Sequence, residues 1–85
     1  MYDEIASPRI IRRLGDPPQQ RGSLSGDSCS DVFELSDGNF AVIGTDRTEE
    51  LDAQLPADAA RADYDRIVVT TRDTLVRAKR DIPDA

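Results

Sequence analysis

The chain contains no histidine. The candidate groups for catalysis or metal binding are therefore its one cysteine and its many carboxylates. Cys29 stands between Asp27 and Asp31, and neighbouring negative charge disfavours the thiolate that acts as a nucleophile. The acidic stretch 58–65 lacks the alternating acids, glycine and distal glutamate of a calcium loop. We therefore expect no catalytic residue, no metal site and no cofactor, and we predict that the chain is not an enzyme.

Length and charge limit the classes of function further. The 85 residues suffice for one small domain, and the formal net charge is −6. A protein that binds duplex phosphates usually has a basic face, so nucleic acid is an unfavoured partner. The charge is uneven, since 31–65 is mostly acidic and 72–80 is mostly basic. Two interpretations stay open: internal charge pairing with a solvated surface, or an acidic face that steers a basic protein partner.

The first residues are predicted to form an arm. Prolines and glycines interrupt 1–27, which we interpret as a flexible N-terminal arm preceding a small domain at 28–85. Within the arm lies an apolar and basic cluster, the candidate partner-binding site: Ile10, Ile11, Arg12, Arg13 and Leu14. Its alternative role is to cover an exposed edge of the sheet. If the arm is separate, deletion of residues 1–24 leaves the fold intact.

A β-hairpin is the clearest local pattern. Two β-rich runs flank Asp37-Gly38, a dipeptide typical of a two-residue type I′ turn. That turn pairs Leu35 with Phe40, and it puts four apolar side chains on one face of the sheet: Phe33, Leu35, Phe40 and Val42. We expect this face to be the core, so that Phe40→Ala would badly destabilise the domain.

The remaining elements complete an α+β fold. Asp46 with Glu49 matches a capping box and predicts a short helix that ends before Pro56. The β-branched run 66–70 predicts a third strand, and Thr70 or Thr71 is the expected N-cap of a C-terminal helix reaching about residue 81. The predicted class is thus a small, mainly antiparallel three-stranded sheet, made of the hairpin plus the third strand and packed by the C-terminal helix and one short helix.

The segment from Cys29 to Asp46 resembles small actinobacterial proteins and, in layout, the BldB-like family of regulator partners. The corresponding features are Cys29 before the first strand, the Asp37-Gly38 turn, Ala41-Val42 in the second strand and Thr45-Asp46 after it. The likeness extends over about 28–46 and 66–82; the stretch 48–65 would be an insertion, and the last helix lacks the tryptophan common in such proteins. The resemblance implies a regulatory partner that is contacted without catalysis.

These observations favour a small regulatory or adaptor protein that acts by protein–protein binding, with a DNA-binding regulator as one candidate partner. The alternatives are an antitoxin- or immunity-type inhibitor with an acidic face, and nucleic-acid binding through arginines of the arm and last helix. No apolar run approaches the length of a membrane span, and the acidic start does not resemble a signal peptide. We expect a cytoplasmic protein with no membrane partner, and edge strands make a homodimer a further candidate assembly.

Overall fold

The computed structural model describes residues 7–17 and 30–84, and its elements form two small sheets and two short helices. Three strands make the first sheet in the order β1-β2-β3: β1 is Ile10–Arg13, β2 is Asp31–Leu35 and β3 is Phe40–Ile43. Both neighbouring pairs are antiparallel. The α+β class predicted from the sequence is confirmed, as are the hairpin and the C-terminal helix.

The second sheet has only two strands, β4 at Thr45–Asp46 and β5 at Val68–Val69. Between them come helix α1, Thr48–Leu51, and a 3-10 turn, Asp52–Gln54. Helix α2 spans Arg72–Ala78 and continues as a 3-10 turn at Lys79–Asp81. At its start the Thr71 hydroxyl accepts a hydrogen bond from the Thr74 N–H (3.2 Å), so Thr71 is the N-cap.

The third strand of the main sheet was assigned to the wrong segment. β5, predicted to join the hairpin, pairs instead with β4. The place beside β2 is taken by β1, which lies in the segment predicted to be an arm. A strand has two edges for pairing, and those of β2 are both occupied by β1 and β3. The described part of that segment thus lies against the domain, as in the alternative where the cluster covers a sheet edge.

The predicted hairpin register is wrong by one residue. Leu35 O accepts from the Gly38 N–H (3.0 Å), and the Leu35 N–H donates to Asn39 O (2.9 Å), which closes a three-residue loop. A type I′ turn requires positive φ at both central residues, whereas only Gly38 has it here (φ 90). The Asp37 carboxylate instead accepts from the Asn39 N–H (2.9 Å), which stabilises the longer loop.

The shifted register divides the four side chains predicted to share the core. Phe33 pairs with Ala41 on one face of the sheet, while Val32 pairs with Val42 on the other. Helix α2 covers the Val32 face, where the buried apolar cluster consists of Leu14, Val32 and Ala78. Leu14 is 2% exposed and has the largest fully buried side chain among the described residues. The core therefore includes a residue that the sequence analysis had placed in the arm.

Truncation of Leu14 should be more destabilising than truncation of Phe40. We expect Leu14→Ala to lower the free energy of unfolding by about 2–5 kcal/mol, the usual range for a buried leucine. Phe40→Ala, the control, removes a larger side chain that is 42% exposed, so its loss should be smaller. Urea unfolding followed by circular dichroism measures both, and an equal or larger loss for Phe40→Ala would contradict this core.

Candidate protein-binding surface

The cluster predicted to bind a partner lies on β1 and is divided by the strand geometry. Neighbouring side chains in a strand point to opposite faces of the sheet, so these residues do not form one patch. Leu14 is in the core, and its N–H donates to Val32 O (2.9 Å). Leu14 is therefore not part of any exposed contact surface in this fold, which corrects its assignment to the binding site.

Both arginines of the cluster hold β1 against the domain. Arg12 Nε lies 2.8 Å from a Glu34 oxygen, and Arg12 Nη2 donates to Asp81 O (2.6 Å). Arg13 Nε contacts both Asp31 oxygens (3.0 and 3.1 Å), and its guanidinium carbon lies 5.3 Å from the Phe33 ring centroid. Charge-assisted hydrogen bonds and a cation–π contact thus fix the two side chains on opposite faces of the sheet.

Ile10 and Ile11 are the apolar side chains of the predicted partner-binding site that are exposed in the structure. Ile10 is 60% exposed and Ile11 is 55% exposed. The pairing with β2 shifts register between Ile10 and Arg12, so Ile11 lies in a bulge at the sheet edge. The register shift interrupts the strict alternation of β1 and leaves two consecutive isoleucines exposed at the sheet edge.

A second exposed apolar surface was missed by the sequence analysis. Phe40, Val42 and Ile43 of β3 are 42%, 44% and 53% exposed. The predicted register placed Phe40 and Val42 beneath the last helix, so they were interpreted as core. Phe40 and Val42 do lie on the Val32 face, but helix α2 leaves them exposed, and no local pattern in the sequence indicates how far that helix extends across the sheet.

Two basic side chains of the last helical segment, Arg77 and Arg80, are engaged with carboxylates. Asp16 accepts from Arg77 Nη1 and from Arg80 Nη2, at 2.7 Å each, and Arg77 also pairs with Asp73. The hydrogen bonds from Arg77 and Arg80 hold the pKa of Asp16 below its ordinary value. These two arginines, which were among those considered for nucleic-acid binding, therefore carry locally compensated charge, which favours the interpretation of internal charge pairing.

Asp46 joins the second sheet to helix α1. Its Oδ1 accepts from the Thr48 N–H (3.0 Å) and hydroxyl (2.6 Å), and its Oδ2 accepts from Arg66 Nε (3.0 Å). These bonds, those from Thr48 first, lower the pKa of Asp46 to about 2. Thr48 Oγ1 in turn accepts from the Ile67 N–H (2.7 Å). This carboxylate is thus a structural acceptor that starts the helix, and the predicted bond partner Glu49 is not involved.

Metal-ligand clusters and membrane-spanning helices are both absent from the part of the chain that the structure describes. Within 7–17 and 30–84, no three acidic, histidine or cysteine side chains come together as metal ligands would. None of the helices in those ranges has the length and apolar character needed to cross a bilayer. Cys29, which carries part of the family resemblance, lies outside the described residues.

Comparison with protein-family models, with curated proteins and with solved structures finds no match to this chain. The chain's own exposed surfaces are therefore what indicates a function.

The Asp16 ion pairs should make stability depend on pH. A carboxylate whose pKa is lowered by folding stabilises the native state above its ordinary pKa of 3.8, and this contribution is lost as the pH falls through the folded value. We expect Asp16→Asn to lower the urea midpoint at neutral pH, and the difference from the natural protein to shrink as the pH falls below about 4.

Asp58→Asn is the control, because Asp58 is an exposed carboxylate that is not among the partners of Arg77 and Arg80. It should leave the urea midpoint nearly unchanged at every pH. A deficit of Asp16→Asn that persists undiminished at the lowest pH would show that the substitution acts through packing and not through the carboxylate charge.

Proposed function

We propose that this chain is a small cytosolic regulatory or adaptor protein that acts by binding another protein, and that Ile10 and Ile11 belong to the contact surface. The observation that supports this is the exposure of the two isoleucines on a strand whose other two side chains, Arg12 and Arg13, are held by ion pairs to β2. Complete burial of an isoleucine contributes about 1.5–3 kcal/mol, so the pair could supply the centre of an interface.

The surroundings of the isoleucines favour a partner with an apolar contact. The two arginines next to them are compensated by Glu34 and Asp31, so the strand offers little net charge to a phosphate backbone. Ion pairs near an apolar contact typically set the specificity and orientation of the partner and not its affinity. A DNA-binding regulator fits this description if it is bound through a protein surface, as the family resemblance implies.

An inhibitor that uses an acidic face is the second candidate. The supporting observation is that Glu49, Asp58 and Asp63 are exposed on the acidic stretch after β4. Such a face would speed association with a basic partner, and the effect would weaken as salt screens the charges.

Affinity capture from native cytosol tests the proposal. The full chain is used as bait at low and at physiological salt, with and without nuclease, beside the double variant Ile10→Thr/Ile11→Thr. Threonine keeps the β-branched shape that suits a strand but removes apolar surface. We expect one protein that survives salt and nuclease with the natural chain and is depleted at least about tenfold with the variant, as the loss of about 1.4 kcal/mol would give.

Val76→Thr is the matched control, because Val76 is another exposed β-branched residue and belongs to helix α2, not to β1. It should capture the same protein as the natural chain. Capture that nuclease abolishes would favour the arginines as a nucleic-acid site, and capture that salt alone abolishes would favour the acidic face. Undiminished capture by the double isoleucine variant would remove β1 from the binding surface.

A further inference from the structure

β3 is an uncharged strand that has no hydrogen-bonded partner on its outer side among the described strands. In the sheet order β1-β2-β3, β3 pairs only with β2 among the described strands. Its sequence, Phe-Ala-Val-Ile, contains no charged residue, and three of its four side chains are exposed. An edge of this kind presents unpaired backbone groups to other strands.

The backbone groups that point outward follow from the hairpin. Leu35 and Asn39 face each other as a hydrogen-bonded pair, since the Leu35 N–H donates to Asn39 O. Hydrogen-bonded and non-bonded pairs alternate along an antiparallel ladder, so Ala41 and Ile43 turn toward β2. The N–H and C=O groups of Phe40 and Val42 consequently point away from the sheet. Val32, opposite Val42, obeys the same alternation, because its carbonyl faces Leu14 on the far side.

The two edge strands of the sheet, β1 and β3, differ in the features that hinder pairing with a further strand. β1 has a register shift and two arginines, devices that discourage another strand from pairing. β3 has no charge, no proline and a regular register with β2 over its four residues. The contrast within one sheet indicates that pairing is blocked at β1 and permitted at β3.

We propose that a second copy of this chain pairs with β3 in antiparallel fashion, with the two-fold axis passing between the two Ala41 residues. Phe40 of each copy then lies opposite Val42 of the other. All outward N–H and C=O groups of Phe40 and Val42 find a partner, and the result is a continuous six-stranded sheet. This inference does not depend on the surface proposed for β1.

A second copy of the chain suits the free edge of β3 because antiparallel pairing places Phe40 and Val42 opposite each other twice. Residues directly opposite each other share a face of the sheet, and Phe40 and Val42 already share one. The pairing therefore keeps the same face of both copies on the same side and brings four apolar side chains together. A strand without charge also lets two acidic chains meet without placing like charges opposite each other.

The dimer should be weak and closed. A contact between two four-residue strands is smaller than the 1,200–2,000 Å² or so of a stable interface, so its population should rise with protein concentration. A two-fold contact uses the same surface on both copies, so the assembly ends at two.

Sedimentation equilibrium of the full chain, up to about 1 mM, tests the proposal. The average mass should rise from one chain toward two and no further. Val42→Pro removes an N–H that makes no bond within the domain, so the variant should keep its circular dichroism spectrum. We expect it to weaken self-association at least about tenfold, because it deletes half of the interchain hydrogen bonds. Val42→Thr keeps the N–H and the shape, and should lose much less.

Amide exchange in the natural protein gives an independent readout by NMR. The Phe40 and Val42 amides should become more protected as concentration rises, while the Ala41 amide, already bonded to β2, should not change. The proposal would be overturned if the average mass stayed at one chain at every concentration, or if assemblies larger than two chains formed. It would also be overturned if the exchange rates of the Phe40 and Val42 amides did not change with concentration. Should Val42→Pro fail to fold, the amide measurement decides the matter alone.

Discussion

The structure depends on the docking of Leu14 between β2 and helix α2. Its N–H pairs with Val32 O, and its side chain packs with Val32 and Ala78 in the buried cluster. A domain of this size has a small apolar core, so the loss of one buried apolar side chain destabilises the whole domain. The segment that carries Leu14 therefore completes both the sheet and the core.

Polar contacts of the two residues that follow Leu14 hold it in place. The next residue, Gly15, donates its N–H to Asp81 Oδ2 (2.7 Å), and Asp16 binds two arginines of the helical region. Gly15 has φ of 85, and a Cβ there would lie 3.0 Å from the Ala78 nitrogen, so any other residue would be strained and would press on the backbone of helix α2. These contacts join residues far apart in the sequence, which is why no local pattern revealed them.

The sequence predicted the elements that local patterns determine. The hairpin, the short helix after Asp46, and the last helix with its Thr71 cap follow from turn and capping chemistry. What local patterns do not determine is pairing between distant strands. The run 66–70 has the composition of a strand, but its partner depends on which segment occupies the edge of β2, and β1 does so. The hairpin register was missed because the choice between a two- and a three-residue loop depends on the φ of Asp37.

The same limits apply to the candidate surfaces. The sequence located the apolar cluster at 10–14, but only the pairing of β1 with β2 shows that Leu14 turns inward while Ile10 and Ile11 are exposed. The exposure of Phe40 and Val42 was missed because it depends on how far helix α2 extends across the sheet, since both lie on the Val32 face that this helix covers only in part. In both cases the side chains left exposed are those that the sheet does not use for its own packing.

Native-state hydrogen exchange of the Leu14 amide tests the central claim most directly. If β1 is an integral strand, this N–H exchanges only with global unfolding and is as protected as the β2 amides bonded to β3. Comparable protection at Leu14 and Phe33 is the result that the account predicts. Rapid exchange at Leu14, with an opening free energy near zero while the Phe33 amide stays protected, would contradict it and make the first strand a detachable arm.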